Sequence, residues 1–217
     1  MSVNLRLCAA WQEAMRARVE RRDRLGPVVR VAGADVAYAR SGKALCAAVV
    51  VLDARTLATV AEHVAMQPVT FPYIPGFLTL REAPAVEDAF ACLPLRPDLL
   101  LVDAHGVAHP RGFGLACHLG VVLDVPTIGV AKTVLVGSSL PPGPRRGDRG
   151  PLLHEGEVVG ATLRTRAGVA PVYVSTGHRI SLETALRWTL ALAPRFRLPE
   201  PARRAHAAAT AARALLP

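Results

Sequence analysis

Two short runs in the middle of the chain constrain its fold more than anything else in it. LLLV at 99–102 and TIGVA at 127–131 are almost wholly apolar, and one helical segment, 111–123, separates them. A strand that is apolar on both faces must be covered on both faces, and two such strands joined through a helix make a parallel crossover. The chain is therefore expected to be α/β, with helices on both sides of a sheet.

The flanking segments extend this reading. Residues 3–24 are expected to form an amphipathic helix with Leu5, Cys8, Ala9 and Met15 on its apolar side. Three Val- and Ala-rich stretches follow, at 28–38, 44–53 and 57–63, separated by turn residues, and predict an antiparallel meander. A proline-rich loop at 67–76 leads to a helix over 82–92. After the crossover come a surface loop at 141–151, strands at 157–164 and 171–175, and helices at 181–192 and 201–215. The order βββαβαβ, antiparallel first and parallel after, is that of a ribonuclease H-like fold: a mixed central sheet flanked by helices. A length of 217 residues suits a single domain over 1–217.

Composition removes several classes. The longest apolar runs fall well short of the ~20 residues a membrane span requires, and the N-terminal segment lacks the apolar core of a secretory signal. A cytoplasmic protein with no membrane partner is expected. Cys8, Cys46, Cys92 and Cys117 are far apart and form no CxxC pair. They read as buried apolar residues rather than as a disulfide framework or zinc site. The net charge of +9 suggests a polyanionic partner. It is unevenly spread: residues 1–30 carry +4, residues 31–142 carry −2, and residues 143–217 carry +7.

The candidate chemistry lies in the acidic middle. Asp35 sits inside an apolar strand, VAGADVAY, and Asp103 ends another, LLLVDAHG. Ionised carboxylates among buried strand residues are costly unless compensated. On neighbouring strands they would converge and could share a divalent cation, and hard oxygen donors favour Mg²⁺ or Mn²⁺ over zinc. Each could equally cap a turn or pair with an arginine. Glu82, at the expected start of a helix, reads as a dipole or capping residue. His109 and His105 share the loop after Asp103. Lys132, one of two lysines, ends the strand TIGVA, at the usual ligand face of an α/β sheet. His206 lies on the last helix. Tyr73, between prolines in FPYIPGF, suits either a rigid wedge between stacked bases or a tyrosine packed under its own loop.

Taken together, the motifs resemble the endonuclease V family. The resemblance runs through RVAGADVAY at 30–38, FPYIPGFLTLREAP at 71–84, PDLLLVDAHGVAHPRGFGLACHLGVVLDVPTIGVAKT at 97–133, GHRISLETA at 177–185 and PARRAH at 201–206. It implies a Mg²⁺-dependent endonuclease, tolerant of Mn²⁺, that nicks one nucleotide 3′ to deoxyinosine and leaves 3′-hydroxyl and 5′-phosphate ends. By resemblance Asp35 and Asp103 are direct metal ligands, Glu82 is the third acid, and His206 reaches the metal through water. His109 and Lys132 would lie near the scissile phosphate. Pro72, Tyr73, Ile74 and Pro75 would form the strand-separating wedge, and Gly76, Leu78 and Gly106 would line the base pocket. The family usually has glycine where this chain has Ala104. The implied partner is deoxyinosine-containing DNA, with inosine in RNA as a second substrate, and a monomer is expected. A binding protein with a dead nuclease site is the alternative, disfavoured by the complete set of Asp35, Glu82, Asp103 and His206.

Overall fold

The computed structural model describes residues 3–217. Its centre is a nine-stranded mixed sheet built from β1 (Arg30–Tyr38), β2 (Ala44–Asp53), β3 (Thr59–Pro68), β4 (Leu99–Val102), β5 (Thr127–Ala131), β6 (Ser138–Ser139), β7 (Arg149–His154), β8 (Glu157–Leu163) and β9 (Val172–His178), in the order β3-β2-β1-β4-β5-β9-β8-β7-β6. The expected meander is present, β1 and β2 pairing antiparallel with Asp35 opposite Ala48. The expected crossover is present too, with β1, β4 and β5 mutually parallel. From β9 outward the strands return antiparallel.

Alternation of side chains along the central strands splits the core into two layers. Ala32, Ala34, Leu100 and Val102 point to one face, where α2 (Leu78–Ala91) and α3 (Leu115–Leu123) cover them. Val31, Leu99 and Leu101 point to the other, under α4 (Leu182–Ala191) and α5 (Glu200–Ala212). Gly33 shares the α5 face. A Cβ there would land on the Pro201 carbonyl, so glycine is what lets the start of α5 lie directly on β1.

Several boundaries differ from expectation. The N-terminal helix, α1, spans only Leu5–Arg16. Beyond it the chain is drawn onto the end of β9: the Glu20 N–H donates to His178 Nδ1 (3.2 Å), and the Arg179 N–H donates to the Glu20 carbonyl (2.7 Å). Leu5 is exposed, and the inward stripe runs through Trp11 and Met15 to Val19. Helix α2 starts four residues early and runs through Pro84, so Glu82 is a buried residue inside it rather than a cap. Helix α3 starts at Leu115 instead of 111, because residues 103–114 spend their backbone groups elsewhere: Val107 N–H donates to Thr176 (2.8 Å) and Gly114 N–H to Gly106 (3.0 Å). Strand β7 occupies part of the expected loop at 141–151. Pro151 sits within it, its carbonyl accepting from the Leu140 N–H (3.2 Å). Cys46 and Cys117 are buried, but Cys92 is exposed at the end of α2. No described helix is long and apolar enough to cross a membrane.

Candidate metal centre and base pocket

Three elements meet at the carboxyl end of the parallel strands. Asp35 points from β1 toward α5, on the same face as Val31 and Gly33. Asp103 follows β4, in register with Leu99 and Leu101 on that face. His206 comes from the second turn of α5, held in place by the close packing at Gly33. Asp35, Asp103 and His206 each offer a ligand atom, all within 4.8 Å of one another. Among the described residues this is the group of His, Cys, Asp and Glu side chains that fits a metal ion.

The electrostatics suit a bound cation. Burial, and then the charge of Asp103, push the Asp35 carboxyl above the usual range despite its 2.7 Å contact with His206 Nδ1. Lys132, arriving from the end of β5, pairs directly with Asp103. Both acids therefore have a partial cationic or hydrogen-bonding partner, yet their mutual repulsion is not removed. Two converging carboxylates with an imidazole suit a divalent ion with oxygen preference. Neither acid is a turn cap, and neither pairs with an arginine.

Glu82 stands outside the trio, facing it from α2. Its Oε1 accepts from Tyr38 Oη (2.7 Å), which in turn accepts from Arg81 Nε (3.1 Å). Arg81 also donates to the Phe71 carbonyl (2.5 Å), tying this acid to the root of the proline-rich loop. Burial, reinforced by the charges of Asp35 and Asp103, raises the Glu82 carboxyl to about 7 against the pull of Tyr38 and Arg81. Tyr38 and Arg81 carry no role that the sequence alone assigns, although they lie inside RVAGADVAY and FPYIPGFLTLREAP. The signal was their position: Arg81 adjoins the acid, and Tyr38 ends the strand that carries Asp35.

Beside the Asp35–Asp103–His206 cluster lies a cavity of about 310 Å³ whose wall includes both Asp103 and Lys132. Tyr73, Ile74, Pro75 and Gly76 form one side, and Leu78, Ala104, His105 and Leu115 continue it. Tyr73 is 71% exposed, which disposes of a tyrosine packed beneath its own loop. Pro72 is exposed beside it. Gly106 lies behind the wall. Its N–H donates to Ser175 Oγ (2.9 Å), and a Cβ there would strike the Thr176 carbonyl. Ala104 is buried against the α2–α3 core without a left-handed backbone, so its methyl group is accommodated without strain.

His109 lines the same cavity as Asp103 and Lys132. It is buried, and Nε2 lies 3.0 Å from the Gly76 carbonyl. Burial, and then the charge of Arg111, lower its pKa from 6.5 to about 4. A histidine with a depressed folded value stabilises fully above about pH 6.5, and that contribution is lost as pH falls toward about 4. By linkage, about 2 kcal/mol should be gone at pH 5 relative to pH 7.5. Unfolding titrations of wild type and His109→Gln at both pH values should show wild type losing that much more. Equal losses would mean that His109 is not held neutral.

A family model described as endonuclease V matches residues 13–207. Endonuclease V of Roseiflexus castenholzii is 54% identical over 202 residues, covering 93% of this chain and 90% of that protein. The crystal structure of endonuclease V from Streptomyces avermitilis superposes with a TM-score of 0.92 at 47% identity, covering 97% of this chain and 93% of that one. A Ciona intestinalis endonuclease V, solved with a 24mer DNA containing an inosine followed by a ribo-adenosine, has a TM-score of 0.83 at 27% identity, covering 95% and 96%.

Proposed function

The chain belongs to the endonuclease V family, and from that premise we propose that it is a divalent-metal-dependent endonuclease that nicks nucleic acid one nucleotide 3′ to inosine, leaving the base in place. The observation that carries this reading is the shared wall: Asp103 belongs to the acidic cluster, Lys132 pairs with it, and both line the cavity beside the exposed Tyr73. One site can then hold a base on one side and its neighbouring phosphate on the other. That the Ciona relative was crystallised on inosine-containing DNA supports the choice of base.

Asp35 and Asp103 would hold Mg²⁺ or Mn²⁺, with His206 beside them, and Glu82, held by Tyr38, would complete the site from α2. When bound, such an ion supplies charge neutralisation at the phosphate and acidifies a coordinated water. Lys132 brings its ammonium to the phosphate and offsets the negative charge that grows there during cleavage. Glu82, with a value near neutrality, suits a group that accepts the proton of the attacking water or orients it. Gly76, Leu78, Ala104 and Leu115 offer a narrow, largely apolar slot for a planar purine, while Gly106 supports its back wall. His109 contributes by anchoring that slot through Gly76.

Tyr73, with Pro72, Ile74 and Pro75, acts as the wedge that fills the gap left by an extruded base. Base–aromatic stacking is worth about 1–3 kcal/mol. Tyr73→Ala should therefore lower the ratio of kcat/KM for inosine over undamaged duplex by roughly 10-fold, while the metal concentration for half-maximal rate stays put. A parallel loss of metal affinity would contradict the wedge.

RNA is the second reading, and the ribo-adenosine after inosine in the Ciona complex favours keeping it. The basic ends of the chain contact either backbone without reading sugars. Labelled deoxyinosine duplex and riboinosine strand, each incubated with Mg²⁺ and with chelator, test both. Cutting of the DNA in Mg²⁺ alone is expected. Cutting confined to the riboinosine strand would transfer the function to RNA, and cutting in chelator would remove the metal from it.

A further inference from the structure

Helix α1 stands away from the catalytic cluster, yet its one buried residue is a glutamine. Gln12 is 0% exposed, on a stripe otherwise formed by Trp11, Met15 and the following Val19 against Phe113 and Cys117. Packing alone would place an aliphatic side chain there, since a buried amide is costly unless bonded. Gln12 is bonded twice. Its Nε2 donates to the Gly76 carbonyl (3.2 Å), and its Oε1 accepts from Arg111 Nε (2.6 Å). Arg111 also donates from Nη2 to the same carbonyl, and its guanidinium lies over the Phe77 ring (4.2 Å to the centroid). With His109 Nε2, three side chains from two distant segments converge on one backbone oxygen. Gly76 has φ +79, and a Cβ there would meet Arg111 Nη2 at 3.0 Å, so glycine permits the approach. The Phe77 N–H closes the turn onto the Ile74 carbonyl (3.0 Å). Fixing Gly76 thus fixes the turn that carries Tyr73, Ile74 and Pro75.

We propose that Gln12 and Arg111 are positioning residues that clamp the Gly76 carbonyl, so that α1 holds the base-discriminating loop in its working geometry. The consequence for substrate choice rests on the inosine reading above; the clamp itself does not. A preset loop engages an extruded base without first being ordered, and a loosened one must pay that ordering cost on binding.

The test uses the full chain with Gln12→Leu, which preserves bulk, and Arg111→Lys, which preserves charge. Amide hydrogen exchange at Phe77 is the first readout. Both variants should exchange at least ~10-fold faster there, with exchange in β1 and β4 unchanged. Steady-state cleavage of inosine duplex is the second. KM should rise about 10-fold with kcat within about 2-fold and with the same metal dependence. Unchanged exchange at Phe77 in both variants overturns the clamp, as does a fall in kcat at constant KM. Faster exchange in a protein that cuts no inosine substrate would uphold the clamp and reject the functional reading.

Discussion

Asp103→Ala should lower the rate of inosine-directed nicking by at least ~100-fold, the scale for one electrostatic contact in a transition state. Asp103 combines three roles. It converges with Asp35 and His206, it pairs with Lys132, and it lines the cavity beside Tyr73. Removing its carboxylate leaves Asp35 as the one acid in the trio and frees Lys132 from its partner. The loss should appear in kcat and in metal affinity together. Thermal unfolding separates this from misfolding. A ligand at 100-fold above its Kd stabilises by about 2.7 kcal/mol, so wild type should gain stability from saturating Mg²⁺ and the variant should not. Asp103→Asn keeps the shape and removes the repulsion that raises Asp35. Its metal-free stability should not fall. Full nicking by either variant would displace the site.

The second large effect lies in the fold rather than the chemistry. Gly33→Ala puts a methyl group where the Pro201 carbonyl already lies, and a backbone carbonyl at the start of α5 cannot swing aside as a flexible side chain would. Overpacking of this kind costs about 1–3 kcal/mol, or a fall in Tm of order 5 °C for a chain of this size. Helix α5 also carries His206, so the same methyl group should spread His206 from Asp35 and weaken metal-dependent stabilisation. An unchanged Tm with undiminished metal response would mean that the close seat of α5 on β1 is not what builds the site.

Much of this architecture was legible in the chain because it rests on periodicity. The apolar runs at 99–102 and 127–131 required cover on both faces, and the structure provides it with α2 and α3 on one side and α4 and α5 on the other. What was not legible depended on long-range partners. The end of α1 is set by backbone pairing with residue 179, and β7 by pairing with β8 across a proline. Neither partner can be read from the local sequence. Glu82 reads as a cap because it follows the proline-rich loop at an expected helix start, whereas tertiary packing starts the helix four residues earlier and carries it through Pro84.

The candidate site divides in the same way. Asp35 and Asp103 betrayed themselves as carboxylates in apolar strands, and Lys132 by its position at a strand end. Gln12, Tyr38, Arg81 and Arg111 act through contacts to residues 43 to 99 positions away, and polar residues of these types are ordinary in sequence. His109 shows itself in sequence by its place in the loop after Asp103, but its partner, the Gly76 carbonyl, is a backbone atom that no motif announces.

The most direct measurement maps the products on a duplex bearing one deoxyinosine, labelled on the inosine strand, in Mg²⁺. The account predicts a single cut one nucleotide 3′ to the inosine, with 3′-hydroxyl and 5′-phosphate ends and hypoxanthine still attached. Release of free hypoxanthine, or cutting that ignores the inosine, would contradict it.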